Sequence, residues 1–241
     1  MAIHIDDDDG AKDYYFYKTQ PDTFYSGSSG SSVFPLTMSA WFKADAINDH
    51  DALISIGDSG STYPVVTLNL RATGYATAEV KGQRDTEMST AGSQYSADTW
   101  QHFCAVFTSA SSRTVYQDGV AGSTNTVSIP VDKNDCNNLT IGEYATTWNN
   151  EVNGHISECA LWNVALSASE VAILADGFTA HQVRPESLIS YYPFVRDYLD
   201  VMGSNALTFA TDGSASAVTY SPHTRIIEDA PTISRSAWGG I

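Results

Sequence analysis

Four of the chain's 28 acidic residues stand together at residues 6–9, in the stretch AIHIDDDDGAKDYYFY. A loop rich in carboxylate oxygens suits a hard cation such as Ca²⁺. A solvated acidic turn has the same composition, and charge runs more often serve in that way. Glycoside hydrolysis asks for something different, two carboxylates facing one sugar a few ångströms apart. Glu151 and Glu158 flank a turn and do not alternate along a strand, so they form no such pair. Serine-nucleophile chemistry needs a positioned Ser, His and acid, and no G-x-S-x-G is present. His102 sits in the alternating run WQHFCAVF, where strand packing alone accounts for it. Tyr63, Tyr75, Tyr144 and Trp148 lie in or beside polar segments. Ring faces with polar neighbours make sugar platforms, although ordinary loop packing uses the same residues. Trp148, between Thr147 and Asn149, is the best placed of the four.

The elements that must position these groups read as strands. Residues 100–107 alternate with period two. Residues 109–112 (SASS) break the pattern, and residues 113–117 (RTVYQ) resume it before the tight-turn pair Asp118-Gly119. Strands are also expected at residues 2–5, 14–18, 36–42, 52–56, 65–71, 76–81, 138–141, 154–163, 187–194 and 206–209. Residues 82–98 read as a polar excursion. One short helix is expected from Ser167 to about Ala175. Ser167 and Glu170 form a capping box, and Gly177 stands where a left-handed residue ends a helix. No internal repeat appears. A dozen or so short strands with one helix predict an all-β, two-sheet antiparallel jelly-roll sandwich.

Composition narrows the function classes. The 241 residues suffice for one large β domain with its own core. With 28 acidic and 12 basic residues the net charge is −16, a field that repels phosphate backbones and argues against nucleic acid. No segment approaches the length of a membrane span. MAIHIDDDDG has neither the basic nor the apolar region of a secretory leader, so export by another route is expected. Cys104 and Cys159 fall in apolar strand patterns and should act as small hydrophobes. Cys136 falls in a polar loop, and no spacing fits a zinc or redox motif. Asn138-Leu-Thr140 is a glycosylation sequon, expected to be idle.

Six segments, in order, resemble the laminin-G-like, concanavalin A-like jelly rolls. The opening AIHIDDDDGAKDYYFY resembles the family's first strands, with Gly10, Asp13 and Tyr14 matching. LTMSAWFKAD matches its core-tryptophan strand through Trp41. The hairpin 100–120 matches its W-x-H…Y-x-D-G pattern. LTIGEY, GHISECALWNVALSASEVAIL (with Glu158, Asn163, Leu166 and Glu170) and SLISYYPF complete the series over about residues 2–220. The resemblance implies the same sandwich fold, a fold that hosts lectins, hydrolases and scaffolds alike. The E-x-D-x-x-E strand of the family's glucanases is missing, so no enzymatic activity is expected. The resemblance also implies a rim calcium between loops, which transfers to Asp58 with Asn149 or Asn150. The family's frequent Asp before the Glu is Ser157 here, which removes one ligand from any metal site drawn on that position.

Single domains of this kind resemble those of marine phage particles. That implies a virion structural protein, either a capsid decoration or a tail or fibre adhesin. Its partners would be capsid or tail proteins, host surface glycans and further copies of itself. The alternative is a secreted or cell-surface calcium-dependent glycan-binding module. Residues 221–241 follow the expected domain as an extended tail, in which Arg235 and Trp238 are of the types that anchor interfaces.

Overall fold

The computed structural model describes residues 2–5, 14–21, 30–47, 51–146, 152–195, 197–211 and 219–221. Trp148, Asn149, Asn150, Glu151, Arg235, Trp238 and the acidic run at 6–9 lie outside the described residues.

The strands run in chain order as β1 (Ala2–Ile5), β2 (Tyr14–Thr19), β3 (Leu36–Ala44), β4 (Asp51–Gly57), β5 (Val65–Leu70), β6 (Tyr75–Lys81), β7 (Thr86–Gln94) and β8 (Gln101–Ser109), followed by β9 (Ser112–Gln117), β10 (Val120–Asn125), β11 (Asn138–Ile141), β12 (Gly154–Trp162), β13 (Leu188–Tyr192), β14 (Thr208–Thr211) and β15 (Thr219–Ser221). They form two antiparallel sheets. The first has the order β10-β9-β8-β3-β12-β1-β15, with β13 also paired to β12; the second has the order β14-β2-β11-β4-β5-β6-β7. The expected jelly-roll sandwich is what the chain forms. Three strands go beyond the sequence reading. β7 falls in the segment read as a polar excursion, β10 follows the Asp118-Gly119 turn, and β15 reaches Ser221, one residue past the expected domain end.

Alternation builds the core between the sheets. Leu36, Met38, Ala40 and Phe42 of β3 face Val66, Leu68 and Leu70 of β5 across one continuous apolar cluster. The opposite face of the first sheet carries a second cluster, Cys104, Val106, Tyr116, Ala160 and Trp162, covered by Val171 and Leu174 of the helix. That helix, α1 (Ala168–Ala175), starts at the expected capping box, where the Ser167 N–H donates to Glu170 Oε2 at 2.7 Å. Gly177 ends it with φ +93°. Gly119 is favoured on two counts. Its φ is +77°, and a Cβ there would stand 3.3 Å from the Ala172 Cα of α1.

All three cysteines are free and buried. Cys136 is therefore not a surface-loop residue, and burial pushes its thiol pKa up. Asn138 is buried in β11, with its Nδ2 donating to the Ala145 carbonyl at 3.2 Å, so the sequon offers no accessible amide. His102 packs as expected, its Nε2 2.8 Å from Ser39 Oγ. Complete burial lowers its pKa from 6.5 to about 3. The unfolded chain then binds one more proton than the folded chain between these values, so this contribution to stability is present above pH 6.5 and is lost as pH falls toward 3. In urea unfolding, His102→Gln should therefore flatten the loss of stability between pH 6.5 and 4 relative to the parent. An unchanged slope would remove His102 as the titrating group.

Candidate functional site

Val66, Leu68 and Leu70 point into the core, so Thr67, Asn69, Thr77 and Glu79 face outward from the second sheet. All four are nonetheless buried. The cover includes the chain after β11. Tyr144 lies over this face at 5 % exposure. Its hydroxyl accepts from Asn69 Nδ2 at 3.1 Å and donates to Glu79 Oε1 at 3.2 Å. The other carboxylate oxygen of Glu79 pairs with Arg71. Burial, and then the charge of Glu79, push the Tyr144 pKa well up, so the phenol stays a donor.

This network is one anchor of a longer excursion between β11 and β12. Its stem is closed by the Val152 N–H donating to the Gly142 carbonyl at 3.0 Å. The Gly142 N–H donates to the Leu53 carbonyl at 3.2 Å, and the Ala145 N–H to Ser55 Oγ at 3.1 Å. Both feet of the segment that carries Trp148, Asn149 and Asn150 are thus fixed to the sheet. Asn69 Oδ1, Asn138 Oδ1 and Thr146 Oγ1 are buried here with no partner among the described residues.

The loop after β4 meets this stem. A Cβ on Gly57 would fall 2.6 Å from the Pro64 carbonyl oxygen and 3.1 Å from Thr146 Cγ2, so only glycine permits the approach. Asp58 follows directly. Its Oδ1 accepts from Asn137 Nδ2 at 2.7 Å and from the Gly60 N–H at 3.0 Å. Asn137 Oδ1 in turn accepts from the Ser59 N–H at 2.9 Å. Asp132 and Asp135 stand close enough for Asp135 to feel both Asp132 and Asp58, which add to burial in raising its pKa.

The structure therefore brings Asp58, Tyr63 and the stem of the 147–151 segment to one rim. Tyr144 is not an exposed platform, because its ring is buried and its hydroxyl is committed. Tyr75 shares the sheet face but starts β6 at the opposite end of the β5–β6 pair from Tyr63. At ~3.3 Å per residue the register pairs from Val65–Lys81 to Leu70–Ala76 that separate them span about 17 Å. Tyr15 and Tyr17, with ring centroids 5.9 Å apart, are half-buried on the same outer face and were not singled out from sequence. Nor was Glu79. Its signal was an acid inside YATAEVK, whose neighbours are otherwise small or apolar.

Tyr144→Phe removes the hydroxyl and strands both Asn69 and Glu79. A loss of about 1–3 kcal/mol is expected in chemical unfolding. A variant with the parent's midpoint would mean that this network does not hold the excursion down.

A family model described as the concanavalin A-like lectin/glucanases superfamily matches residues 17–172. No curated protein matches the chain in sequence. Among solved structures, a candidate carbohydrate-binding protein of Bacteroides ovatus is similar, with TM-score 0.62 and 17 % identity over 91 % of this chain. The chain spans 61 % of that protein's length. A heptameric SAP-like pentraxin of Limulus polyphemus has TM-score 0.56 and 14 % identity, over 88 % of this chain and 92 % of its own. The CBM40 of a Ruminococcus gnavus IT-sialidase has TM-score 0.54 and 12 % identity, over 72 % of this chain and 96 % of its own. At these identities the structures share the fold, and the family match covers well over half of the sequence. The chain belongs to the concanavalin A-like lectin/glucanase superfamily.

Proposed function

We propose that this protein is a non-catalytic carbohydrate-binding jelly roll. The ligand would lie on the rim where the loop of Asp58 and Tyr63 meets the anchored excursion bearing Trp148. The observation that carries this reading is the close approach at Gly57, which joins the two loops through Pro64 and Thr146. Tyr63 and Trp148 supply ring faces for sugar CH groups, and the polar rim supplies orientation. Calcium is proposed at Asp58 with Asn149 or Asn150, where the neighbouring Asp132 and Asp135 add negative potential. Similarity in fold to the CBM40 bound to α2,3-sialyllactose supports the ligand class. The Glu79 carboxylate, held by Arg71 and Tyr144, serves as an anchor rather than as half of a hydrolytic pair.

Within this reading we assign the protein to a phage particle, as a capsid decoration or a tail or fibre adhesin. The net charge of −16 keeps many copies on one particle soluble, and Arg235 and Trp238 would tie the tail to a neighbouring capsid or tail subunit. A secreted or cell-surface glycan-binding module is the second reading. It is favoured by the fold shared with domain 4 of an extracellular arabinanase of Geobacillus stearothermophilus, seen with arabinotriose.

Glycan-array screening followed by calorimetry should find a binding saccharide. Tyr63→Ala and Trp148→Ala should each weaken it about tenfold or more, consistent with ~1.4 kcal/mol per decade, while Tyr75→Ala leaves it unchanged. Added to metal-free protein, millimolar Ca²⁺ should raise the melting temperature, and Asp58→Asn should abolish that rise. Release of reducing ends from laminarin, agarose, carrageenan or alginate would overturn the non-catalytic assignment. The particle assignment is read separately. Mass spectrometry of purified virions should detect the chain, and deleting residues 229–241 should abolish particle association without lowering the melting temperature. Recovery of the protein only from particle-free culture medium would favour the second reading.

A further inference from the structure

The first sheet carries a cluster that the carbohydrate reading does not use. Ile3 and Ile5 of β1 are in the core, so His4 faces outward; Ile156 of β12 is in the core, so its neighbour His155 does too. The two histidines are direct register partners, with ring centroids 4.3 Å apart. Asp45, the first residue after β3, reaches both. Its Oδ2 is 2.8 Å from His4 Nε2 and its Oδ1 is 3.4 Å from His155 Nδ1. The ligand atoms of all three residues lie within 4.8 Å of one another.

We propose that His4, Asp45 and His155 form a binding site for a borderline divalent transition-metal ion of the zinc class. Two imidazoles and one carboxylate are the donor set such ions take, whereas Ca²⁺ and Mg²⁺ want six or more oxygens. Bonds of ~2.0–2.1 Å meeting at a tetrahedral angle separate ligand atoms by about 3.3–3.4 Å. With one donor atom from each residue the three lie within 4.8 Å of one another, so side-chain rotations that draw them in to this separation assemble the site. His4 would bind through Nε2 and His155 through Nδ1, leaving the other ring nitrogen of each to carry its proton. The fourth position opens to solvent, since the Asp45 side chain is 34 % exposed.

The scaffold is rigid where this requires it. The Asp45 N–H donates to the Asn153 carbonyl at 3.1 Å, which fixes the acid beside the start of β12. Gly154 packs so closely there that a Cβ would stand 2.4 Å from the Lys43 carbonyl oxygen. Trp100 sets its ring edge-on to His155 at 6.4 Å. The nearby cation, Lys43, is the register partner of His155 and pairs with Asp98 at 3.4 Å. The overall charge of −16 favours a cation. A bound ion would tie β1 to β12 and to the end of β3, and so fasten the N-terminal strand.

The test uses tag-free full chain and Zn²⁺ alone. Calorimetry should give one-to-one binding. Co²⁺ should give the visible absorption of a tetrahedral site with nitrogen ligands and lose it on Zn²⁺ addition. At a hundredfold excess over Kd, Zn²⁺ should raise the melting temperature by about 5 °C or more. His4→Gln, Asp45→Asn and His155→Gln should each weaken binding about tenfold or more, while His181→Ala leaves it unchanged. Millimolar Ca²⁺ should not compete. Absent Zn²⁺ binding in the folded parent, or binding unaffected by all three substitutions, would overturn the site. Neither result bears on the saccharide rim, which belongs to the other sheet.

Discussion

Strand β12 carries an unusual demand: one edge must hold two partners in succession. Its first residues pair with β1 and its last with β13, while its other edge pairs with β3 throughout. The change of partner coincides with a break in the ladder on the opposite edge. The register against β3 shifts between Ser157 and Ala160, and Glu158 takes φ +55°. Such a bulge bends the strand and re-aims its side chains. Ser157 Oγ then donates to the Pro193 carbonyl at 2.9 Å, and Tyr191 donates to the Glu158 carboxylate. Before the bulge β12 presents His155 outward; after it, Trp162 is buried beneath α1 with its indole N–H donating to the Val183 carbonyl at 2.8 Å. The helix-covered cluster and the open histidine cluster are two halves of one sheet face, divided by this irregularity.

The two sheets handle their outer faces differently. The first covers part of its outer face with apolar side chains from α1, where burial of hydrocarbon provides the stability. The second covers its outer face with a polar stem, and the hydrogen bonds of Tyr144, Asn69 and Glu79 replace those lost to water. The ion pair of buried Glu79 with half-buried Arg71 stabilises less than apolar packing would, but it is intolerant of displacement. That intolerance fixes where the excursion leaves the sheet.

Much of the fold was legible because period-two alternation survives wherever a strand has one face in the core. The helix was legible because Ser167 and Glu170 satisfy the first N–H groups locally. β7 was not, since TEMSTAGSQ lies at a sheet edge with few buried residues and no apolar stripe. The site was legible only in part. Asp58 and Tyr63 announced themselves as loop residues. The cover over Glu79 depends on Tyr144, which lies 65 residues away, and His4 meets Asp45 across 41 residues. Sheet register creates these meetings, and local spacing carries no trace of them.

The pairing of β1 with β15 sets Ala2 directly opposite Ser221. Tension applied at those two residues would pull the strands apart from one end, opening their hydrogen bonds one after another instead of shearing them together. Such a joint resists little force. A load entering through one of these residues and leaving through the rim of the second sheet takes another path, across the interdigitated core, where many contacts must yield at once. The sandwich is mechanically weak between β1 and β15 and strong through its thickness.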